Sequence, residues 1–460
     1  MERFRNKKIL VVGIGRTGFK LINFFNKLDC IIRITDIKPI FDLNKQVKKL
    51  KKLQPVPEMT FGEHREDDFV DADVIVYSSS INPDMPLLDL ARENGKSVFS
   101  EFSLANTLCR KPIIAVCGSG GRTTVAHMIG FALKQEGRNV FVGGTGDTSF
   151  IEFAMLPNYN DLDFAVIEVS ASQLRGLKNF HPKLVVFTNI SEKYPENHFK
   201  SVGEFIETKL SIIKTLSPDD TLVVNFDMLA NNSFFRNANC QTYWYSRKSF
   251  LKMGVMNEIQ GTHFHEKRIH CNINYHSEFK VSSMRIIGQH NRENLLAAVT
   301  ACKALDVSDK SLQTTVEKFP GIPHRLEFLI EKNSVSFYND SKAESMPDLC
   351  QSIKSFKSPV ILIAGGKDIE DVEYDQYVED IIKNVRVLVL VGESKERMNR
   401  ALGEHPQTYI VGSFEESVLF AYQKSRTGDT ILLSPGSPST DFFRDYEERG
   451  NYFKKLVYQL

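Results

Sequence analysis

Two apolar runs in this chain end in glycine-rich turns that lead straight into helical patterns. The first is Ile9–Val12, followed by Gly13-Ile-Gly15-Arg-Thr-Gly18. The second is Ile113–Cys117, followed by Gly118-Ser-Gly-Gly121-Arg122-Thr123-Thr124. A strand that turns on glycine into a helix presents backbone N–H groups at the helix start, where they suit a phosphate. Similar β-branched runs recur at Val74–Tyr77, Ala165–Val169, Leu184–Thr188, Val360–Ala364 and Leu388–Val391, separated by longer helical stretches. That alternation predicts an α/β chain with mostly parallel sheets.

The chain has 460 residues, room for several domains. Breaks fall at Arg110-Lys-Pro112, before the second glycine loop, and at Gly321-Ile-Pro323, after a long helical stretch. Three domains are expected, 1–110, 111–320 and 321–460. The polar region Asn231–Ser282 reads as short strands and turns added to the middle domain. Lys and Arg total 58 against 57 Asp and Glu, a net charge of +1. That balance argues against disorder and against a dedicated nucleic-acid binder. No apolar run approaches the roughly 20 residues that span a bilayer, and the start is not a signal peptide, so no membrane partner is expected. The 7 cysteines are scattered without a C-x-x-C, which suggests reduced thiols in a cytoplasmic protein.

The first loop, with Gly15, Arg16 and Thr17, is matched by Asp36 at the end of the run Ile31–Thr35. This pattern fits a phosphate on the helix start and an acidic residue placed for a sugar or base. A nicotinamide dehydrogenase, a nucleotide-diphosphate-sugar site and a tight turn without ligand all remain open on that loop alone. In the second loop, Gly118, Ser119, Gly120 and Gly121 let backbone amides approach phosphates. Arg122 supplies a cation, Thr123 a hydroxyl for magnesium, and Thr124 continues into the helix. The loop is shorter than G-x-x-x-x-G-K, and its cation is arginine. Two phosphate loops in successive domains suggest one for a nucleotide-linked substrate and one for ATP. Lys45, Lys48, Lys49, Lys51 and Lys52 are interleaved with Leu43, Val47 and Leu50 at helical spacing, which reads as a solvated helix face. His263, His265, Glu266 and His270 hint at metal, but their spacing fits no standard zinc pattern, and polar loop residues are the simpler reading.

Further motifs follow in order: Ser78-Ser-Ser-Ile-Asn-Pro-Asp-Met-Pro86, Ser100-Glu101-Phe, Ile167-Glu168-Val-Ser170-Ala-Ser-Gln173 and Gly288-Gln-His290-Asn291-Arg-Glu-Asn294. Pro323-His324-Arg325-Leu-Glu327, Asn339-Asp340-Ser341-Lys342-Ala343, Leu433-Ser-Pro-Gly-Ser-Pro-Ser439 and Glu448-Arg449-Gly450 complete the set. Nearly end to end, this ordered set resembles the Mur ligase family, and within it the D-glutamate-adding branch. The resemblance implies a Rossmann-like N-terminal domain for a UDP-sugar substrate, a central P-loop ATPase-type domain and a Rossmann-like C-terminal domain for the amino acid.

The activity implied is ATP-dependent, ADP-forming addition of D-glutamate to UDP-N-acetylmuramoyl-L-alanine through an acyl phosphate, in cytoplasmic peptidoglycan synthesis by a monomer. The cofactors implied are ATP and Mg2+. By resemblance, Arg122, Thr123 and the loop amides hold phosphates, Glu168 ligates magnesium, and Asn294, Arg325 and Asp340 contact ATP. Ser170 belongs to the substrate side, and Lys342, Ser439, Thr440 and Tyr446 face the incoming D-glutamate. Lys209 stands where the family has a carbamylated lysine, an anion able to ligate a second magnesium.

Several positions depart from the family pattern. Its phosphate-loop lysine is Arg122 here, and its asparagine is Gly120. Asn189-Ile-Ser-Glu-Lys193-Tyr194 lacks the family's metal-binding histidine, for which nearby His198 is the candidate replacement. Gly143-Gly-Thr145-Gly-Asp replaces a G-G-N-I-G loop. Lys367 stands two positions from an absent lysine. Glu344 replaces a threonine and would repel an acidic amino acid unless a cation pairs with it. A working, divergent ligase and a homologue that binds nucleotide or UDP-sugar without ligation both remain open.

Overall fold

A computed structural model describes residues 2–78, 80–145, 148–190, 199–231, 235, 237–248, 259–281, 289–369, 372–402 and 407–460. The chain forms two compact units, one of 1–280 with 293–315, the other of 281–292 with 316–460. No helix among the described residues is long and apolar enough to cross a membrane.

The first unit holds two sheets. One is five-stranded: β1 Lys8–Val12, β2 Ile31–Asp36, β3 Glu58–Phe61, β4 Val74–Tyr77 and β5 Ser97–Ser100. Its order is β3-β2-β1-β4-β5, all parallel, so β1 is central. The other contains β6 Ile113–Cys117, β7 Val140–Gly143, β8 Phe164–Val169, β9 Leu184–Phe187, β10 Thr221–Asn225, β11 Gln241–Ser246, β12 Gly261–His265, β13 Arg268–Cys271 and β14 Ser277–Lys280. Its order is β14-β13-β12-β11-β10-β9-β6-β8-β7. Strands β6 to β12 run parallel, and β12, β13 and β14 finish the edge as an antiparallel meander. These last strands form much of the segment expected to be short strands and turns.

The second unit holds six strands: β15 Glu327–Lys332, β16 Val335–Asn339, β17 Val360–Ala364, β18 Val385–Leu390, β19 Thr408–Ile410 and β20 Thr430–Leu433. The order is β15-β16-β20-β17-β18-β19, and among the described residues the β15/β16 pair is antiparallel and the other pairs parallel.

Central strands β6, β9 and β17 are buried along their whole length. A parallel strand covered on both faces needs apolar side chains at every position, which is why these runs do not alternate. Leu43, Val47 and Leu50 are buried, while Lys48, Lys49, Lys51 and Lys52 are exposed, so the lysine run is a solvated face. All 7 cysteines are free.

Candidate functional site

The second glycine loop leaves β6 between its neighbours β8 and β9 and enters the helix Arg122–Gln135. The carboxyl ends of parallel strands, where neighbours diverge, form a natural crevice for a ligand. Gly118 and Gly121 have φ of +138° and +79°. A Cβ at Gly118 would overlap Thr188 Oγ1, and one at Gly121 would overlap Asn294 Oδ1. Both positions therefore need glycine for conformation and for space. Gly120 is less confined. A Cβ there would meet nothing nearer than the Asn189 side chain at 3.7 Å, an ordinary contact.

Asn189 fixes the crest of the loop. Its Oδ1 accepts from the Gly120 N–H at 2.8 Å, and its Nδ2 donates to the Gly120 carbonyl at 3.2 Å. Thr188 Oγ1 donates to the same carbonyl at 2.6 Å, and buried Tyr245 donates to the Thr188 carbonyl at 2.7 Å. Neither Thr188 nor Tyr245 has a motif role in the sequence reading. Asn189 stands in a quoted motif without an assigned task.

Glu168 sits on β8 beside the loop and is 2% exposed. Its Oε2 accepts from Thr123 Oγ1 and from Thr145 Oγ1, each at 2.8 Å. Among the described residues no Lys or Arg forms an ion pair with it. A buried carboxylate met by hydroxyls rather than by a cation is costly. The donor set is all oxygen, a carboxylate with threonine hydroxyls at a phosphate loop, and it fits Mg2+. Gly144 lies against this strand at φ +112°, with no space for a Cβ beside the Glu168 backbone. Gln173 Nε2 donates to the Gly144 carbonyl at 2.6 Å. Ser170 and Gln173 form a reciprocal capping box at the following short helix. Ser170 thus has a structural task beside its expected substrate one.

Arg122 turns one guanidinium nitrogen back to the Val169 carbonyl, at 3.1 Å. Lys209, on the helix Val202–Leu210, is 1% exposed, not a solvent-facing helix lysine. Its ammonium donates to the Gly118 carbonyl at 3.1 Å and to Ser119 Oγ at 3.2 Å, and lies 4.1 Å from the Phe205 ring centroid. The loop thus gathers Arg122, Thr123, Glu168, Lys209 and Asn294. His198, Lys193, Tyr194, Gly288 and Asp147 lie outside the described residues.

In the five-stranded sheet, Gly13 turns at φ +86° after central β1, and a Cβ at Gly18 would overlap the Gly13 carbonyl. Gly15 and Arg16 are exposed, and Thr17 is half-buried. Asp36 accepts from the Ile14 N–H at 2.8 Å and from the Lys38 N–H at 2.9 Å. One oxygen thus holds the glycine loop, and the other the turn that follows β2.

In the second unit, Lys342 Nζ donates to Tyr446 OH at 3.1 Å, bringing together two residues expected on the amino-acid side. Ser439 donates from its N–H at 3.2 Å and from its hydroxyl at 3.3 Å to Glu344 Oε1. Thr440 is exposed. The cation that Glu344 requires is Arg449, at 3.6 Å. Arg449 is 2% exposed, and burial pulls its pKa down to about 10. It also donates to Ser341 Oγ at 3.0 Å, the Ser341 carbonyl at 2.8 Å and the Ser437 carbonyl at 3.1 Å. Arg449 lies in a quoted motif, but its buried network is not legible there. Asp340 is buried and accepts from Ser352 at 2.6 Å, Ser434 at 2.8 Å and the Leu326 N–H at 3.1 Å. Burial raises its pKa to about 6. Arg325 is exposed. Lys367 pairs with Glu393 at 2.6 Å.

Comparison with known proteins adds independent observations. Residues 7–100 match the model of the Mur ligase MurD-like N-terminal domain, and residues 116–302 match the Mur ligase middle domain. The chain is 34% identical over 457 residues to a UDP-N-acetylmuramoylalanine–D-glutamate ligase of Bdellovibrio bacteriovorus, covering 98% of this chain and 97% of that one. It is 31% identical over 462 residues to the like-named protein of Thermoanaerobacter sp. strain X514, covering 99% of each. Among solved structures, UDP-N-acetylmuramate-alanine ligase MurC from Thermotoga maritima aligns over 99% of both chains with a TM-score of 0.57 at 17% identity. MurF from Acinetobacter baumannii aligns over 100% of this chain and 92% of its own, with a TM-score of 0.53 at 15% identity. At those identities the structures speak to fold alone.

Proposed function

This chain belongs to the Mur ligase family, and we propose that it joins D-glutamate to UDP-N-acetylmuramoyl-L-alanine in a reaction driven by ATP. The observation that carries the reading is buried Glu168 hydrogen-bonded to Thr123 beside a glycine phosphate loop. The full-length similarity to two D-glutamate ligases supplies the substrates.

In this reading the amides of Gly118 to Thr124 and the Arg122 guanidinium hold the β- and γ-phosphates. Thr123 and Glu168 would hold Mg2+, which neutralises phosphate charge when bound. The carboxylate of the nucleotide-sugar substrate attacks the γ-phosphorus, ADP leaves, and an acyl phosphate forms. The D-glutamate amine then attacks the acyl carbon, loses a proton, and expels phosphate as the amide forms. Phosphoryl transfer of this kind depends on positioning and charge stabilisation rather than on a covalent bond to the protein. Lys209 braces the loop through Gly118 and Ser119. As a carbamate, the form the family resemblance implies, it would become an anion able to join the metal set. Gly15, Arg16, Thr17 and Asp36 serve the UDP-sugar side.

Lys342 and Tyr446 are the groups that meet D-glutamate, with Ser439 and Thr440 beside them. Pairing with Arg449 removes the objection to Glu344, because its charge is balanced and its Oε1 is committed to Ser439. The free cysteines support a reducing, cytoplasmic setting, and we infer a monomer.

Phosphate release from purified protein, with each of ATP, Mg2+, D-glutamate and UDP-N-acetylmuramoyl-L-alanine omitted in turn, tests the reading. Release that needs all four supports it. Binding of the nucleotide sugar without release would assign the chain to a non-ligating homologue.

A further inference from the structure

At the far edge of the nine-stranded sheet lies a histidine cluster that the ligase reading does not use. The antiparallel register sets His263 opposite His270, and His270 opposite Glu278. Residues directly paired across strands share a face, so these three form a row over β12, β13 and β14. The other face carries Thr262, Ile269, Cys271 and Phe279, all buried, and Thr262 bonds to Thr300 on the helix Gln289–Ala304. The histidines therefore do not belong to that core.

The sequence reading treated His263, His265, Glu266 and His270 as loop residues. On the structure the three histidines lie on strands; Glu266 of the turn pairs with His265 at 3.7 Å, and Glu278 is the carboxylate that meets His270. The His263 and His270 rings stack at 5.4 Å. Glu278 Oε1 lies 3.3 Å from His270 Nδ1 and 3.3 Å from His276 Nε2. The three donor atoms all lie within 4.8 Å of one another. A tetrahedral ion with ligand bonds of about 2.0–2.1 Å spaces its ligands about 3.3 Å apart, so two of the three gaps already have the required size. Arg268 holds the second oxygen of Glu278 at 3.2 Å, as an outer partner orients a metal-binding carboxylate.

We propose that this edge binds a late first-row transition ion of the zinc class through His270, His276 and Glu278, with water completing the shell. Two imidazoles and one carboxylate suit Zn2+, Co2+ or Ni2+ rather than Mg2+, which prefers oxygen ligands alone. The site is thus chemically separate from the phosphate loop. It pins β13 to the start of β14, the outermost strand of the sheet.

The test uses the full chain stripped of metal. Co2+ is added and its visible absorption followed, and Zn2+ is titrated against a chromophoric chelator. The variants are His276→Ala, Glu278→Ala and the double substitution, all at solvent-facing positions. The expected spectrum is that of tetrahedral nitrogen and oxygen ligation without a thiolate charge-transfer band. Zn2+ affinity should fall at least about tenfold in each single variant. Zn2+ should raise the unfolding temperature of the native chain but not of the double variant, and the two should unfold alike without metal. Equal Zn2+ affinity in the native chain and the double variant, or no binding by the native chain, would overturn the proposal and leave the cluster as histidine–glutamate ion pairs. Ligase turnover is read separately and should be unchanged in all three variants.

Discussion

The ammonium of Lys209 lies 3.1 Å from the carbonyl oxygen of Gly118, the residue at which β6 becomes the phosphate loop. A long side chain buried to 1% exposure, with its charge set on the loop backbone, links that helix to the loop's shape. Carbamylation would replace this cation by an anion and leave a single N–H for the two acceptors that the ammonium now meets. Turnover should therefore depend on dissolved carbon dioxide. Protein prepared in stripped buffer should regain activity on adding bicarbonate, whereas Lys209→Met should be inactive and insensitive. Equal rates with and without bicarbonate would assign the working form to the ammonium.

Glu168→Gln keeps the size of the side chain and removes its charge. The hydroxyls of Thr123 and Thr145 still find an acceptor, so the fold should survive. Turnover should fall by at least about a hundredfold, since a metal-site carboxylate is lost. Circular dichroism and unfolding temperature check the first half, and phosphate release checks the second.

Arg449→Met should destabilise the second unit by about 3 kcal/mol or more, because three hydrogen bonds from a buried cation are lost and Glu344 is left unpaired. Glu344→Thr should also destabilise, because it takes a counter-charge from buried Arg449, but by less, since Arg449 keeps its three other bonds. Denaturant unfolding separates the two.

Stability in the first unit should carry a signature of Glu101. This residue is 1% exposed and accepts from the Ile151 N–H at 2.7 Å. Burial outweighs that bond and raises its pKa from 4.5 to about 7. The folded chain then keeps a proton that the unfolded chain releases at lower pH. The contribution to stability is complete below pH 4.5 and is lost as pH rises toward 7, by on the order of 3 kcal/mol. Glu101→Gln should flatten that decline in urea unfolding measured across the window. An unchanged slope would remove Glu101 as its source.

The parallel sheets are legible in the sequence because strands such as β6 and β17, covered on both faces, must read as unbroken apolar runs. The phosphate loop is legible because Gly118 and Gly121 leave no room for any other residue. Asn189 and Thr188 are much harder to foresee, since their task is to bond the backbone of Gly120, about 70 residues earlier in the chain. Glu344 shows a partial case. Its need for a cation follows from chemistry, but only the fold identifies Arg449, about 105 residues later, as that cation. The histidine row is hidden for another reason: pairing across three strands aligns residues that share no sequence period.

The central claim is ligation through an acyl phosphate, and labelled oxygen tests it most directly. UDP-N-acetylmuramoyl-L-alanine carrying oxygen-18 in its carboxylate is incubated with ATP, Mg2+, D-glutamate and the purified chain. Mass spectrometry should find a labelled oxygen in the released phosphate and the amide product in equal amount, both dependent on D-glutamate. Phosphate without label, or no amide while the nucleotide sugar still binds, would contradict the account.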